Sequence, residues 1–576
     1  MRGIIHKMYF RSDLITPTIT ADALAALVGP CKSLRKLSFP IPDGWSDIDQ
    51  DTRAHWWMRP LGDIPSWLFP VSRISTWAPR LLAALARSCP GLQVLRCGNI
   101  HDRDLPALAP LSGVLRELDP RNFLCSDESL AAFVGSLSAV TSLRLPRCPS
   151  AVLEPIASHL TTLELYDSLY EENNLPGPGF CRLEALTLVL EPESSLFLAP
   201  LARLLAANQA TLRSLSLTLG DLKADEAPSL VAALRALPRL THLDLFLRLD
   251  ITAEDAADPL RITSSSLQVL CATVLSSEPD RCCPTFLQCP RLHTMVMIAP
   301  SPANPAWLLA GSPRLRVLSQ IRLTRPDLPA RLCASGSLVR LEGLHLEAAE
   351  FPNPLVLRLP GQLERLDLHI ERSARPSRGE LPPQPFDMQV EAPGLLDLSL
   401  AITDKSLPSA RLRLHNCPNL ARLKLKSFTS LDEEDVAMMP LRTIISESGL
   451  GATSLLGLLA RHGTRLRRVT YWCLFEVKLH TIWPELMEAL SRLPRLTRLA
   501  LDVPEAFPQL SFVCPKLRRL HLVGLPGEVK VALSCPLLSR LSGIRDPTRQ
   551  LVFVLPAPAL GAPGFVEEEE EEENEA

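Results

Sequence analysis

The sequence lacks the motifs that most often mark catalysis or cofactor binding. It contains no glycine-rich phosphate loop, no His-Glu-x-x-His helix and no Gly-x-Ser-x-Gly nucleophile turn. The 12 histidines are scattered, and the 15 cysteines include no Cys-x-x-Cys pair with the spacing of a zinc site. We therefore expect no catalytic residues, no metal site and no cofactor, and the sequence does not predict an enzyme.

Long apolar runs and glycosylation sequons are also missing. Residues 1–14 lack the continuous apolar stretch of a secretory signal. No apolar segment is long enough to span a bilayer, and the nearest, residues 551–566, is broken by three prolines. There is no Asn-x-Ser/Thr sequon. These absences predict a reduced protein of the cytoplasm or nucleus with no membrane partner.

Leucine, by contrast, is abundant and regularly placed. The pattern Leu-x-x-Leu-x-Leu, or a close variant, recurs every twenty to about thirty residues from Leu92 nearly to the C terminus. Clear copies begin at Leu160, Leu183, Leu212, Leu240, Leu363, Leu395, Leu420, Leu496 and Leu517. Proline, at 53 of 576 residues, exceeds the usual share of about 5%, and it often precedes a ladder segment, where it ends a helix. A period of this length indicates stacked repeats.

Each repeat combines two kinds of hydrophobic spacing. The x-Leu-x-Leu segment alternates with a period of two, which predicts a short strand. Segments that follow, such as residues 129–134 and 230–234, have helical spacing. One strand and one helix can be buried only by stacking on neighbouring repeats. We therefore predict an α/β leucine-rich-repeat solenoid, a curved horseshoe with parallel strands on the concave face and helices on the convex face.

The pattern divides the chain into four parts. We predict an N-terminal cap (residues 1–33), a first repeat with a tryptophan-rich insertion (34–91), the leucine-rich-repeat array (92–545) and an extended, then disordered, acidic tail (546–576). Five of the eight tryptophans lie between residues 45 and 77, as either a cap or a partner-binding hot spot. The glutamates at 567–573 either solubilise the tail or fold it back onto basic residues.

Cysteine recurs at one place in the repeat, directly before Pro-x-Leu. The copies are Cys89, Cys289, Cys417, Cys514 and Cys535. A cysteine that recurs at one repeat position is best explained as a small buried hydrophobic residue, with a disulfide or metal ligand as the alternative.

Two of these units carry a family resemblance. Residues 88–97, Ser-Cys-Pro-Gly-Leu-Gln-Val-Leu-Arg-Cys, and residues 416–425 resemble the cysteine-containing leucine-rich repeats of F-box/LRR proteins. The resemblance covers about residues 30–545. It implies a repeat array that holds a substrate for a cullin-based ubiquitin ligase, with the ligase adaptor as a partner. No F-box motif is recognised, so two functions stay open: a substrate-recognition subunit, and a free-standing scaffold or regulatory protein with no ubiquitin-ligase role.

The solvent-facing ladder positions carry the one candidate site. Residues on either side of the second leucine point away from it, because side chains alternate along a strand. Up to Leu400 these residues are of mixed charge. From Leu420 onward, six of twelve are Lys or Arg and none is acidic. We define the basic strip as seven of these residues: Arg422, Lys424, Arg468, Arg498, Arg519, His521 and Arg540.

The basic strip predicts a binding site for acidic or phosphorylated protein segments. A guanidinium group holds a carboxylate or phosphate with two parallel hydrogen bonds. Arg442, Arg467 and Arg518, one position earlier, favour the alternative that the chain is simply rich in arginine. A sequence pI near 6.5 and few interleaved aromatic residues disfavour nucleic acid as the partner.

Overall fold

The computed structural model describes two compact units, unit 1 within residues 1–291 and unit 2 within residues 292–576. The described residues are 7–9, 33–38, 78–145, 150–168, 179–190, 198–223, 226–250, 261–276, 286–298, 311–323, 337–348, 353–372, 386–403, 410–432, 439–447, 450–472, 479–502, 509–523, 529–542 and 551–554. The tryptophan-rich segment 45–76, Trp77 and the glutamates 567–573 lie outside them, as does most of the predicted cap.

Unit 1 is built on a parallel sheet to which each ladder segment contributes one strand. Ladder leucines pair across neighbouring strands, as Leu163 does with Leu186 and Leu215 with Leu243. These leucines are at most 2% exposed, and the residues between them are partly exposed. The strands are Lys7–Tyr9, Lys36–Ser38, Val94–His101, Glu117–Leu124, Ser142–Leu145, Thr162–Ser168, Ala185–Leu190, Ser214–Lys223, His242–Asp250 and Val269–Ser276.

Helices provide most of the crossovers in unit 1. A parallel strand cannot return through a tight turn, so it needs a longer connection. The helices predicted at 129–134 and 230–234 are confirmed and bury Leu130, Phe133 and Leu230. The helices are Ala78–Ser88, Leu105–Leu108, Asp127–Ser136, Ser150–Leu153, Leu198–Ala207 and Ala227–Arg235, with 3-10 turns at Asp102–Asp104, Ala109–Leu111 and Glu154–Ile156. Strands Arg261–Thr263 and Phe286–Gln288 form a separate parallel pair.

Unit 2 repeats the same principal sheet. Its strands are Thr294–Ile298, Val317–Ser319, Arg340–Ala348, Arg365–Arg372, Asp397–Ile402, Arg422–Lys426, Thr443–Glu447, Arg468–Trp472, Arg498–Asp502, Arg519–Val523 and Arg540–Ser542, with Arg322–Leu323 pairing to the third. Two degenerate ladder copies keep the register, because Ile444 pairs with Leu423 and Leu541 with Leu520. Each unit is therefore an α/β leucine-rich-repeat array, as the sequence predicts.

The prediction of a helix in every repeat is wrong for much of unit 2. Its described helices are Ala452–His462 and Leu479–Ser491. Elsewhere short strands form two further parallel sheets: Leu355–Arg358 with Phe386–Glu391, Ala410–His415 and Ser430–Leu431, and Gln509–Phe512 with Val529–Leu533 and Leu551–Val554. Sequences such as Leu-Val-Leu-Arg at 355–358 alternate buried and exposed side chains, which favours a strand over a helix.

The turns before neighbouring strands approach so closely that one position tolerates only glycine. A Cβ atom added to Gly394 would lie 1.7 Å from the Gly361 carbonyl oxygen of the preceding repeat. We expect Gly394→Ala to lower the free energy of unfolding by about 2 kcal/mol, because backbone atoms must move apart. Gly113→Ala is the matched control, since its added Cβ meets no atom within 4 Å. Urea denaturation tests this, and equal midpoints for the two variants would contradict it.

Candidate functional site

The basic strip is carried by six consecutive strands of unit 2 in unbroken parallel register. The residue before the second ladder leucine forms what we call the first row. From Arg422 this row continues through Thr443, Arg468, Arg498, Arg519 and Arg540, each paired with the next. Neighbouring strands lie about 4.8 Å apart. Four arginines in succession therefore stand at strand spacing, from Arg468 to Arg540.

The remaining members lie in the second row, formed by the residues after the second ladder leucine. Lys424 pairs with Ile445 on the next strand. His521 pairs with Ala500 and lies four strands after Lys424. Thr470 lies between them in this row and is buried. Among the first-row members, Arg422 and Arg468 are exposed, and Arg498 and Arg519 are partly exposed. The structure thus unites the arginines in one row but separates Lys424 from His521.

Arg422 and Lys424 of the strip each lie next to an acid of the protein itself. Arg422 Nη1 lies 3.3 Å from Asp397 Oδ2 of the preceding strand. Lys424 Nζ lies 2.9 Å from Glu447 Oε1 of the following strand. The sequence interpretation that the strip is free of acids is therefore incomplete, because it covered only the first two rows. Glu447 stands two residues further along its strand, in a third row that parallel pairing brings within reach of Lys424.

The first row begins earlier than the sequence indicated. Arg340 pairs with Arg365, and Arg365 with Asp397. Arg365 lies between two acids, with Nη1 3.0 Å from Glu342 Oε1 and Nη2 3.1 Å from Asp397 Oδ2. Asp397 therefore bridges Arg365 and Arg422. The spacing of Leu338 and Leu341 in the sequence matches the leucine ladder, and it would have placed Arg340 in the first row.

A parallel set of arginines adjoins the first row. Arg442, Arg467 and Arg518 are exposed and immediately precede it in the chain. Their backbone N–H groups donate to the carbonyls of the equivalent residues one repeat earlier, Ala421, Arg442 and Thr497. These arginines therefore widen the basic surface at the amino-terminal ends of the strands rather than lying elsewhere on the unit.

The carboxyl-terminal ends of the same strands differ in character. Their third row contains Lys426, Glu447, Trp472, Asp502 and Val523. Trp472 and Val523 are each 38% exposed, and burial raises the pKa of Asp502. Asp502 is four residues from Arg498, about 13 Å along an extended strand. The third row thus mixes charged and apolar side chains, whereas the first row is rich in arginine.

On the corresponding strand face of unit 1, basic and acidic side chains alternate. Its second row alternates Arg96, Asp119, Arg144 and Glu164, with Arg144 Nε 3.4 Å from Asp119 Oδ1 and 3.8 Å from Glu164 Oε2. Burial raises the pKa of Asp119, although Arg144 and Arg96 oppose the shift. The first row of unit 1 holds no arginine in ten paired positions, whereas that of unit 2 holds seven in eleven. The arginine enrichment is therefore particular to unit 2.

The described part of the chain contains neither a metal-binding cluster nor a membrane-spanning helix. Within it, no cluster of three or more His, Cys, Asp or Glu residues is arranged to hold a metal ion. Its helices are all too short or too polar to cross a bilayer.

Comparison with known proteins gives distant structural likenesses. No known family profile matches the sequence, and no curated protein matches it. A solved complex of TLR13 with the RNA ssRNA13 is 14% identical over 71% of each chain, with a TM-score of 0.28. The yeast Rad7–Elc1 complex is 12% identical over 82% of this chain and 87% of that chain, with a TM-score of 0.25. At such scores the likeness carries no functional argument, and the fold assignment rests on the ladder and its register.

Proposed function

We propose that this protein is a non-catalytic leucine-rich-repeat scaffold whose basic strip binds an acidic or phosphorylated segment of a protein partner. The observation that carries the proposal is the first row from Arg468 to Arg540, where consecutive strands place one arginine each. Stacked repeats also offer the extended surface that macromolecular ligands require.

The chemistry of arginine favours carboxylate or phosphate as the recognised group. Each guanidinium presents a planar fork that matches two oxygens of either anion, and such charge-assisted bonds contribute about 1.5–3 kcal/mol each. A ligand crossing the strands would meet a new arginine about every 4.8 Å. Exposed Trp472 at the far end of its strand adds an apolar contact of the type enriched in protein interfaces. The ligand chemistry is therefore several anionic groups in sequence with an apolar side chain nearby.

A direct binding assay tests the proposal. The probes are a short synthetic peptide with three phosphoserines at alternate positions, the same peptide with serines, and a single-stranded RNA of equal charge. We expect the phosphopeptide to bind the full-length chain, more weakly as salt rises, and the serine peptide not to bind. Tighter binding of the RNA than of the phosphopeptide would indicate that the ligand is a nucleic acid rather than a protein. If neither the phosphopeptide nor the RNA binds, the basic strip is not an anion-binding site.

A second version of the chain, ending at residue 566, controls for the acidic tail. Residues 567–573 are seven glutamates that carry the same kind of charge as the probe. If the tail folds back onto the basic strip, its removal raises phosphopeptide affinity. If it only solubilises the protein, affinity is unchanged.

The resemblance of residues 88–97 and 416–425 to F-box/LRR repeats supports a more specific role. We propose that the partner is a substrate and that the chain recognises it for a cullin-based ubiquitin ligase. The alternative is a free-standing scaffold or regulator. Tagged protein purified from its own cells separates the two by mass spectrometry. Cullin and its adaptor among the bound proteins would favour the ligase role, and their absence with other partners reproducibly present would favour the scaffold.

A further inference from the structure

The recurring cysteines occupy one buried place in the repeat. Cys89, Cys289, Cys417, Cys514 and Cys535 are all buried, as the sequence predicts. Each stands at the start of the turn before a strand. In that turn the leucine N–H three residues later donates to the cysteine carbonyl, at 3.2 Å for Cys514 and 3.0 Å for Cys535. The turn geometry is therefore repeated from copy to copy.

Cys514 and Cys535 occupy this place on successive repeats. Arg519 pairs with Arg540, and each cysteine lies five residues before its arginine. Equivalent residues of paired strands lie about 5 Å apart, within the Cα separation of about 4.4–6.8 Å that a disulfide accepts. The register of the two repeats thus places the two cysteines at a backbone separation that a disulfide accepts.

The two thiols contact each other in the reduced protein. The Cys514 thiol is hydrogen-bonded to Cys535 Sγ, and the Cys514 backbone N–H also donates to that sulfur. Cys514 Sγ in addition lies 3.8 Å from the Leu490 carbonyl oxygen. Hydrogen bonding from Cys514 lowers the pKa of Cys535 against the effect of burial, whereas the same bond and burial raise the pKa of Cys514.

The pair is asymmetric in exposure as well. Cys535 is 9% exposed, whereas Cys514 is 1% exposed. The thiolate, rather than the thiol, is the nucleophile in disulfide exchange. Cys535 is therefore the sulfur that an oxidant reaches first, and Cys514 is its resolving partner.

We propose that Cys514 and Cys535 form a reversible disulfide that cross-links two successive repeats of unit 2. With a small-molecule disulfide as oxidant, the Cys535 thiolate attacks one oxidant sulfur and releases the other as a thiolate. Cys514 then loses its proton to that thiolate or to water and attacks Cys535 Sγ, releasing the second oxidant thiol. One disulfide is consumed and one is formed, so electrons balance. The bond would tie strand Arg519–Val523 to strand Arg540–Ser542, which carry two arginines of the basic strip.

Peptide mapping of the folded, full-length chain tests the proposal. The protein is incubated with excess oxidised glutathione, remaining thiols are blocked with N-ethylmaleimide, and the chain is digested with trypsin without reduction. We expect residues 499–516 to be linked to residues 531–540, and dithiothreitol to reverse the link. Cys417 provides the matched control, because it is equally buried at the same repeat position and should remain a blocked thiol.

Hydrogen exchange adds a readout of the cross-link. In the oxidised protein we expect exchange of the amides in Arg519–Val523 to slow at least tenfold, because the two repeats can no longer separate. The single variant Cys514→Ser should instead retain glutathione on Cys535. A folded chain without the linked peptide overturns the proposal, as does a link that forms only in urea.

Discussion

Reversing the charge of Arg468, Arg498 and Arg519 together is expected to weaken phosphopeptide binding at least ~100-fold. The three residues are consecutive in the first row, so an anionic ligand that spans the strands contacts all of them. Each lost charge-assisted bond costs about 1.5–3 kcal/mol, and the introduced glutamates repel the ligand. The measurement is a dissociation constant at low and at high salt, and the variant should also show a flatter salt dependence.

The control variant carries the same change of net charge elsewhere. Arg213, Arg239 and Arg314 are exposed arginines that lie outside the basic strip, and the first two belong to unit 1. Their triple replacement by glutamate should change affinity by less than about threefold, because none of the three stands in a row of the basic strip and exposed charges that the ligand does not contact are screened by salt. An equal loss of affinity in both variants would show that only the overall charge of the chain matters. No loss of affinity in either variant would show that the basic strip is not the binding site.

Replacing Asn208 by alanine is expected to lower the free energy of unfolding of unit 1 by about 3 kcal/mol. This side chain is 1% exposed. Its Oδ1 accepts from the Leu183 N–H at 2.8 Å, and its Nδ2 donates to the Phe180 and Leu204 carbonyls. It thus joins the end of one helix to the turn of the preceding repeat. Removing it leaves buried backbone groups without their partner, which costs about 1–3 kcal/mol for each group.

Asn419 provides the matched comparison for Asn208. It makes a similar bond across repeats, from Nδ2 to the Pro393 carbonyl at 2.9 Å, but its side chain is exposed. Asn419→Ala should cost less than about 1 kcal/mol, because water replaces the lost donor. Urea denaturation gives both values, and hydrogen exchange at the Leu183 amide localises the effect. A cost for Asn208→Ala no larger than that for Asn419→Ala would contradict the buried-network account.

The strands could be predicted from the leucine ladder because leucines at every second residue match the alternation of side chains along a strand. Leucines at alternate positions must face one side, so the positions of Arg468 and Arg498 on the opposite side follow from the sequence. Equivalent leucines pair between repeats, and this also fixed the order of the first row. Degenerate copies such as Leu441/Ile444/Ser446 kept their place because a branched apolar residue fills the same buried site.

Contacts between repeats were not predictable in the same way. The Lys424–Glu447 pair joins different rows of adjacent strands, and which rows meet depends on side-chain reach rather than on period. The role of Asn208 was also missed, because one asparagine at a helix end has no signal in the ladder. The short strands at 355–358 and 386–391 stood between ladder copies, where four to six residues are too few to separate strand from helix by pattern.

Affinity purification with three versions of the tagged chain tests the central claim most directly. The versions are the wild type, the Arg468/Arg498/Arg519→Glu variant and the Arg213/Arg239/Arg314→Glu control, each expressed in its own cells and quantified by mass spectrometry. If the basic strip is the binding site, a defined set of proteins with acidic or phosphorylated segments is lost from the first variant and retained by the control. The same proteins recovered equally with all three versions would contradict the account.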